Sequence, residues 1–164
     1  MMFGIGRARQ QRWLSQGIKL RPGASEEELA AFETKHSVRL PEDMREYLTT
    51  IDGFDDSEHW MSDDQLITFL ALDEIQPLNK YWSPTVHVGS DYFVFADCSL
   101  SVHVYAIRLA SDSAGATDVV VVYDPPRKVA DSFSDFVRAY LDGKTEVLFP
   151  PPVADENANS RITV

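Results

Sequence analysis

The residues of this chain most able to do chemistry crowd into ten positions: Asp55, Asp56, Glu58, His59, Asp63 and Asp64. Carboxylates and an imidazole at that density are what a hard divalent cation or a general acid–base pair requires. A metal-dependent hydrolase using this acidic loop and His59 is therefore one reading to weigh. The spacing argues against it. No glycine and distal glutamate stand where an EF-hand loop needs them, and no two histidines have zinc-ligand spacing. No metal and no cofactor are expected, and the same residues are read as a solvated acidic loop or a surface for a partner.

The other reactive residues stand alone. His36 falls in a helical stretch and His87 and His103 in extended ones, none beside a nucleophile. Ser99, Ser101 and Ser111 lack the strand-to-helix setting of a nucleophile elbow. Neither Gly4-Ile5-Gly6 nor Gly115 follows a strand as a phosphate-cradling loop would. Cys98 is the single cysteine; Asp97 beside it opposes thiolate formation, so it is read as a packing residue at a hairpin end. No catalytic residue is expected. Trp60 is different, because it sits among the acids, and an aromatic anchor ringed by complementary charge is how interfaces concentrate binding energy. Tyr81 and Trp82, beside Lys80, make a second aromatic pair for which a core position is the competing reading. The expected partner-binding residues are Asp52, Asp55, Asp56, Glu58, Trp60, Asp63 and Asp64.

Charge distribution says what kind of partner. The formal net charge is −11 over 164 residues. Residues 1–25 carry five bases and no acid, which leaves all 26 acids against ten bases in the remainder. Between Arg45 and Lys80 there are nine acids and no lysine or arginine. Such a field repels phosphate backbones and attracts cationic surfaces, so nucleic acid is a poor partner and a basic protein a good one. A lone cysteine fits a reducing, cytoplasmic setting. No apolar run approaches the roughly 20 residues of a spanning helix, so no membrane is expected. Charge at Arg7, Arg9 and Arg12 interrupts any secretory signal pattern.

Apolar spacing places these residues on elements. Residues 5–18 read as a helix with its arginines on the polar face and Ile5, Trp13 and Leu14 available for burial. Ser25-Glu26-Glu27-Glu28 is a capping box, and Leu29, Phe32, Glu33 and His36 mark one face of the helix it opens, over 26–36. Pro41 can begin a further helix with Met44, Tyr47, Leu48 and Ile51 on its apolar stripe and Gly53 as its end; Asp52 to Asp64 then reads as a polar loop. After residue 65 the period shortens. Ile67–Leu72, Thr85–Gly89, Tyr92–Asp97, Val102–Leu109 and Asp118–Tyr123 read as strands, with one helical turn between the first two at Asp73–Leu78. Short connections make neighbours antiparallel, and Val119 to Val122, apolar on both faces, belong in the sheet interior. Asp124-Pro125-Pro126 ends the strands, and a last helix capped by Asp131 or Ser132 carries Phe133, Phe136, Val137, Tyr140 and Leu141 until Gly143. The tail from Pro150 is polar and is expected to be disordered.

Three segments in this order resemble the SUKH superfamily, the cell-wall assembly regulator-like domains found among bacterial immunity proteins. They are Pro22 to Leu29 with Phe32-Glu33, Val38 to Asp43, Tyr47-Leu48 and Asp52-Gly53; the strand series around Val88 to Asp91, Phe95 to Asp97 and Val104 to Ala106; and Ala130 to Val137. The resemblance implies an α+β fold with N-terminal helices, a mainly antiparallel sheet of about four to six strands and a C-terminal helix. It also implies a non-catalytic immunity protein that neutralises a cognate toxin, often a nuclease. A regulatory interaction module of the same fold is the alternative. Residues 1–20 are read as a basic helical extension, 21–149 as the SUKH-like domain and 150–164 as the tail.

Overall fold

Helix formation is clearest where the start signal is strongest. Ser25 Oγ accepts from the Glu28 amide at 3.2 Å while the Glu28 carboxylate accepts from the Ser25 amide at 2.8 Å. This reciprocal cap opens the helix Glu26–His36, and Ser37 closes it in the left-handed conformation at φ 55°. We expect Ser25→Ala to cost about 1 kcal/mol in urea unfolding, the usual loss when a cap oxygen is removed. A change below about 0.3 kcal/mol would mean that packing of Leu29 and Phe32 alone holds this turn.

A computed structural model describes residues 3–55, 62–81, 91–98, 102–112, 115–123 and 126–150. Among these the chain runs α1 (Phe3–Ser15), β1 (Leu20–Pro22), α2 (Glu26–His36), α3 (Glu42–Thr50), β2 (Ile51–Phe54), β3 (Ile67–Phe69) and β4 (Gln76–Pro77). It continues through α4 (Leu78–Tyr81), β5 (Tyr92–Cys98), β6 (His103–Arg108), β7 (Val119–Val121), β8 (Arg127–Ala130), α5 (Phe133–Leu141) and α6 (Thr145–Leu148). The fold is α+β. Strands β3, β5, β6, β7 and β8 lie side by side, β4 also pairs with β5, and every pairing is antiparallel. β1 and β2 form a separate antiparallel pair.

The alternation of β5 to β7 divides two cores. Phe93, Phe95, Tyr105, Ile107, Val119 and Val121 face the helices, whereas Val94, Val104, Ala106, Val120 and Val122 pack on the other face with Leu78. A bulge between Val94 and Ala96 puts Phe95 and Ala96 successively on the helical side. Val119 to Val122 are buried on both faces, as their composition implied.

Several expectations need correction. Gly53 is not a helix cap: α3 ends at Ile51, which continues into β2, and Asp52 to Phe54 are strand rather than loop. Gly53 has φ 72°, and a β-carbon there would sit 2.6 Å from the Ala71 nitrogen, so glycine is required where β2 crosses the chain leaving β3. Pro125-Pro126 does not end the sheet, since β8 follows and pairs with β7. α6 extends the chain beyond Gly143, and Tyr105 Oη donates to the Leu148 carbonyl at 3.0 Å to hold it. The helical turn expected at Asp73–Leu78 appears instead as turns at 72–74 and the short α4. The strand expected at Thr85–Gly89, the hairpin tip after Cys98 and the tail beyond 150 lie outside the described residues.

Candidate functional site

The acidic stretch from Asp52 to Asp64 is held at both described ends by its own carboxylates. Asp52, 8% exposed, accepts from the Leu72 amide at 2.6 Å. Asp63, 5% exposed, accepts from the Gln65 and Ile67 amides, both at 2.9 Å, and from the Tyr140 hydroxyl. Burial raises the pKa of both acids above the ordinary aspartate value, against the lowering effect of these hydrogen bonds. Both were expected at a surface. A carboxylate that satisfies backbone amides in this way is part of the fold.

Around these anchors the described acids differ in exposure. Asp55 is half-buried, with its amide bonded to the Lys19 carbonyl at 2.9 Å. Asp64 is exposed, and α1 grips it: Arg12 pairs with its carboxylate at 3.2 Å, and Gln16 Oε1 accepts from its amide at 2.9 Å. Asp73 and Glu74, which follow β3, are also exposed, and Asp73 pairs with Arg21 at 3.0 Å. Asp56, Glu58, His59 and Trp60 lie outside the described residues, as do Trp82, His87, Ser99 and Ser101.

A second concave feature escaped the sequence reading. α1, α3 and α5 enclose a groove of about 700 Å³ whose lining includes Arg7, Arg9, Glu42, Glu46 and Val137. Arg9 was placed on a polar helix face, yet it is 3% exposed, four residues from the fully buried Trp13 on the same face. Its guanidinium lies 4.2 Å from the Tyr47 ring centroid and 5.6 Å from that of Trp13. Desolvation pulls its pKa below the usual arginine value. Of the residues expected inside, Trp13 is fully buried but Leu14 is 56% exposed. The i, i+4 spacing of Arg9 and Trp13 was the available signal, but charge outweighed it in the reading.

The remaining lone groups serve packing. His36 makes a tilted contact with Phe32 and an edge contact with Phe93 at centroid distances of 4.6 and 5.2 Å, and His103 an edge contact with Tyr123 at 4.7 Å. Cys98 is buried in the helical core. Among the described residues no group of three or more His, Cys, Asp or Glu side chains is placed to hold a metal ion. No helix there is long and apolar enough to cross a membrane.

The antiparallel sheet, the capped α2 and a closing α5 define an α+β domain with an acidic segment held at Asp52 and Asp63 and a charged groove. The sequence model of the SMI1 / KNR4 family (SUKH-1) matches residues 23–139, and the chain belongs to that family. No curated protein matches the chain. The match begins after α1 and β1, so Arg9, Arg12 and Trp13 are contributed from outside it.

Proposed function

We propose that this chain is a non-catalytic immunity protein of the SUKH type that binds and neutralises a cognate toxin, and that the toxin carries a basic nuclease domain. The observation that carries the reading is the charge layout. Every acid falls after residue 25, and the densest acidic segment is tied down at Asp52 and Asp63, with Asp55 half-buried and Asp64 exposed. A nuclease must attract phosphates, so its active surface is cationic. Clustered carboxylates occupy that surface in competition with substrate. Asp55, Asp56, Glu58 and Asp64 supply the field and Trp60 the anchor; Asp52 and Asp63 hold the segment in place rather than touch the partner.

The test is co-purification with the toxin encoded beside this chain, followed by binding kinetics across salt. Neutralising Asp55, Asp56 and Glu58 together is expected to slow association by on the order of tenfold at low salt. The effect should shrink once ionic strength exceeds about 0.1 M, where the Debye length falls to about 10 Å. Trp60→Ala should chiefly speed dissociation, costing on the order of 2 kcal/mol. Unchanged kinetics in the charge variant would move the interface elsewhere. Failure to bind any neighbouring toxin would favour the regulatory interaction module, with which membership of the SMI1 / KNR4 family is equally consistent.

A further inference from the structure

The groove between α1, α3 and α5 divides its charges by wall. α1 contributes Arg7 and Arg9, and α3 contributes Glu42, Asp43, Arg45 and Glu46. Two of these are satisfied internally. Arg45 pairs with Glu26 and Glu33, and Asp43 accepts from the Met44 and Ser134 amides. That leaves two cations on one wall and two carboxylates on the other, and none of the four forms an ion pair with a described residue.

Arg9 makes the groove more than a surface depression. A buried guanidinium stays charged; Glu46 is near enough to favour that charge but forms no ion pair with it, and a buried charge left without a paired counter-ion is strongly unfavourable. Stacking on Tyr47 and Trp13 offsets part of that cost. Arg9 Nε, shielded from solvent, donates no hydrogen bond among the described residues, so the fold leaves this guanidinium short of acceptors, and Arg9 lines the groove. The groove volume of about 700 Å³ falls within the range of about 300–1,000 Å³ usual for small-molecule sites. At Gly6, on its wall, a β-carbon would meet no atom within 4 Å, so the space is open.

A simple anion would meet Glu42 and Glu46 as well as a net charge of −11; a simple cation would meet Arg7 and Arg9. We propose that this groove binds a small zwitterion, a carboxylate joined to an ammonium through a few bonds as in a free amino acid or a dipeptide. The carboxylate accepts from Arg9 and Arg7, and the ammonium donates to Glu46 and Glu42. The groove shares no residue with the acidic segment from Asp52 to Asp64, so the proposal stands apart from the toxin reading.

The experiment is an amide chemical-shift titration of the full chain with four probes: glycine, glycylglycine, propionate and ethylamine. Glycine or glycylglycine should give saturable shifts along α1, α3 and α5, and which of them binds tighter identifies the source of the ligand. Propionate and ethylamine should bind at least about tenfold more weakly, as expected when one charge-assisted contact is removed. Gly6→Phe places a ring in the groove while improving helix propensity, so the fold should persist and binding should vanish. Arg9→Met should also abolish binding, and Glu46→Gln should weaken the zwitterion several-fold without affecting propionate. Should Arg9→Met fail to fold, Gly6→Phe and Glu46→Gln decide. Absence of saturation with all four probes, equal affinity for propionate and the zwitterions, or unaltered binding in Gly6→Phe would each overturn the proposal. So would a structure pairing Arg9 with one of the chain's own carboxylates.

Discussion

Trp13→Ala is expected to lower the unfolding free energy by about 3–5 kcal/mol, the range for truncating a buried large aromatic residue. Trp13 is fully buried, with edge or tilted contacts to Phe54 and Phe69 at 4.9 Å and to Tyr140 at 6.2 Å. Its indole Nε1 donates to Tyr140 Oη at 2.6 Å. Alanine therefore removes a large volume from a rigid aromatic cluster and one buried donor together. In a domain of ordinary stability, about 5–15 kcal/mol, that is about a fifth of the total or more. Leu14→Ala, one residue on and 56% exposed, should change stability by less than about 0.5 kcal/mol. Urea unfolding of both variants checks this. A loss below about 1 kcal/mol at Trp13 would show that the core closes without α1 and that residues 1–20 are a detachable extension.

That helix illustrates how sequence signals divide. In an acid-free, arginine-rich segment the arginines read as the polar face of a basic helical extension, because charge is the strongest single indicator of exposure. Burial of Arg9 depends on its stem and guanidinium stacking over Tyr47, a residue 38 positions away, and nothing local encodes that neighbour. The long β-branched runs, by contrast, were legible. Tyr92–Cys98, His103–Arg108 and Val119–Val121 appear close to where their composition placed them, since a strand buried on both faces leaves little choice of residue. The capping box and the α5 stripe were legible for the same reason: each is local chemistry at fixed spacing.

The strands missed, β1, β2, β4 and β8, have only two to four residues each. Each is too short for a period to register, and β1 and β4 contain proline, which the usual rules exclude from pairing. β2 was hidden by Asp52 and Gly53, a turn-like pair that here serves a chain crossing. The acidic segment was visible as composition, but its division into anchors and surface was not. Asp52 and Asp63 differ from Asp55 and Asp64 only in what the fold brings to them: the Leu72, Gln65 and Ile67 amides and the Tyr140 hydroxyl.

Asp63→Ala is expected to be as damaging as the Trp13 change, at about 3–5 kcal/mol, because it removes the acceptor from three donors, two of them buried. Gln65 and Ile67 amides lose their partner at the turn into β3, and Tyr140 Oη, which receives Trp13 Nε1, loses its own acceptor. The chain from α1 through α5 to the end of the acidic segment is thereby opened. Asp63→Asn is milder, on the order of 1–3 kcal/mol at neutral pH: its oxygen can still take both amides, and only the Tyr140 hydroxyl proton is left without an acceptor. The two species also differ in titration. Burial, reinforced by the negative charge of Asp64, raises the folded-state pKa of Asp63 despite its hydrogen bonds. Asp63 therefore takes up its proton in the folded state at a higher pH than in the unfolded chain, where the value is about 3.9. Folding then binds more protons, so its contribution to stability grows as pH falls through the raised folded value and levels off below about 3.9. The asparagine variant has no such step. The stability difference between wild type and Asp63→Asn should accordingly widen in favour of wild type on acidification from neutral pH. Denaturant midpoints at a series of pH values read this directly. A difference that narrows toward low pH would mean that the hydrogen bonds from Tyr140 and the two amides outweigh burial and hold Asp63 below the ordinary aspartate value.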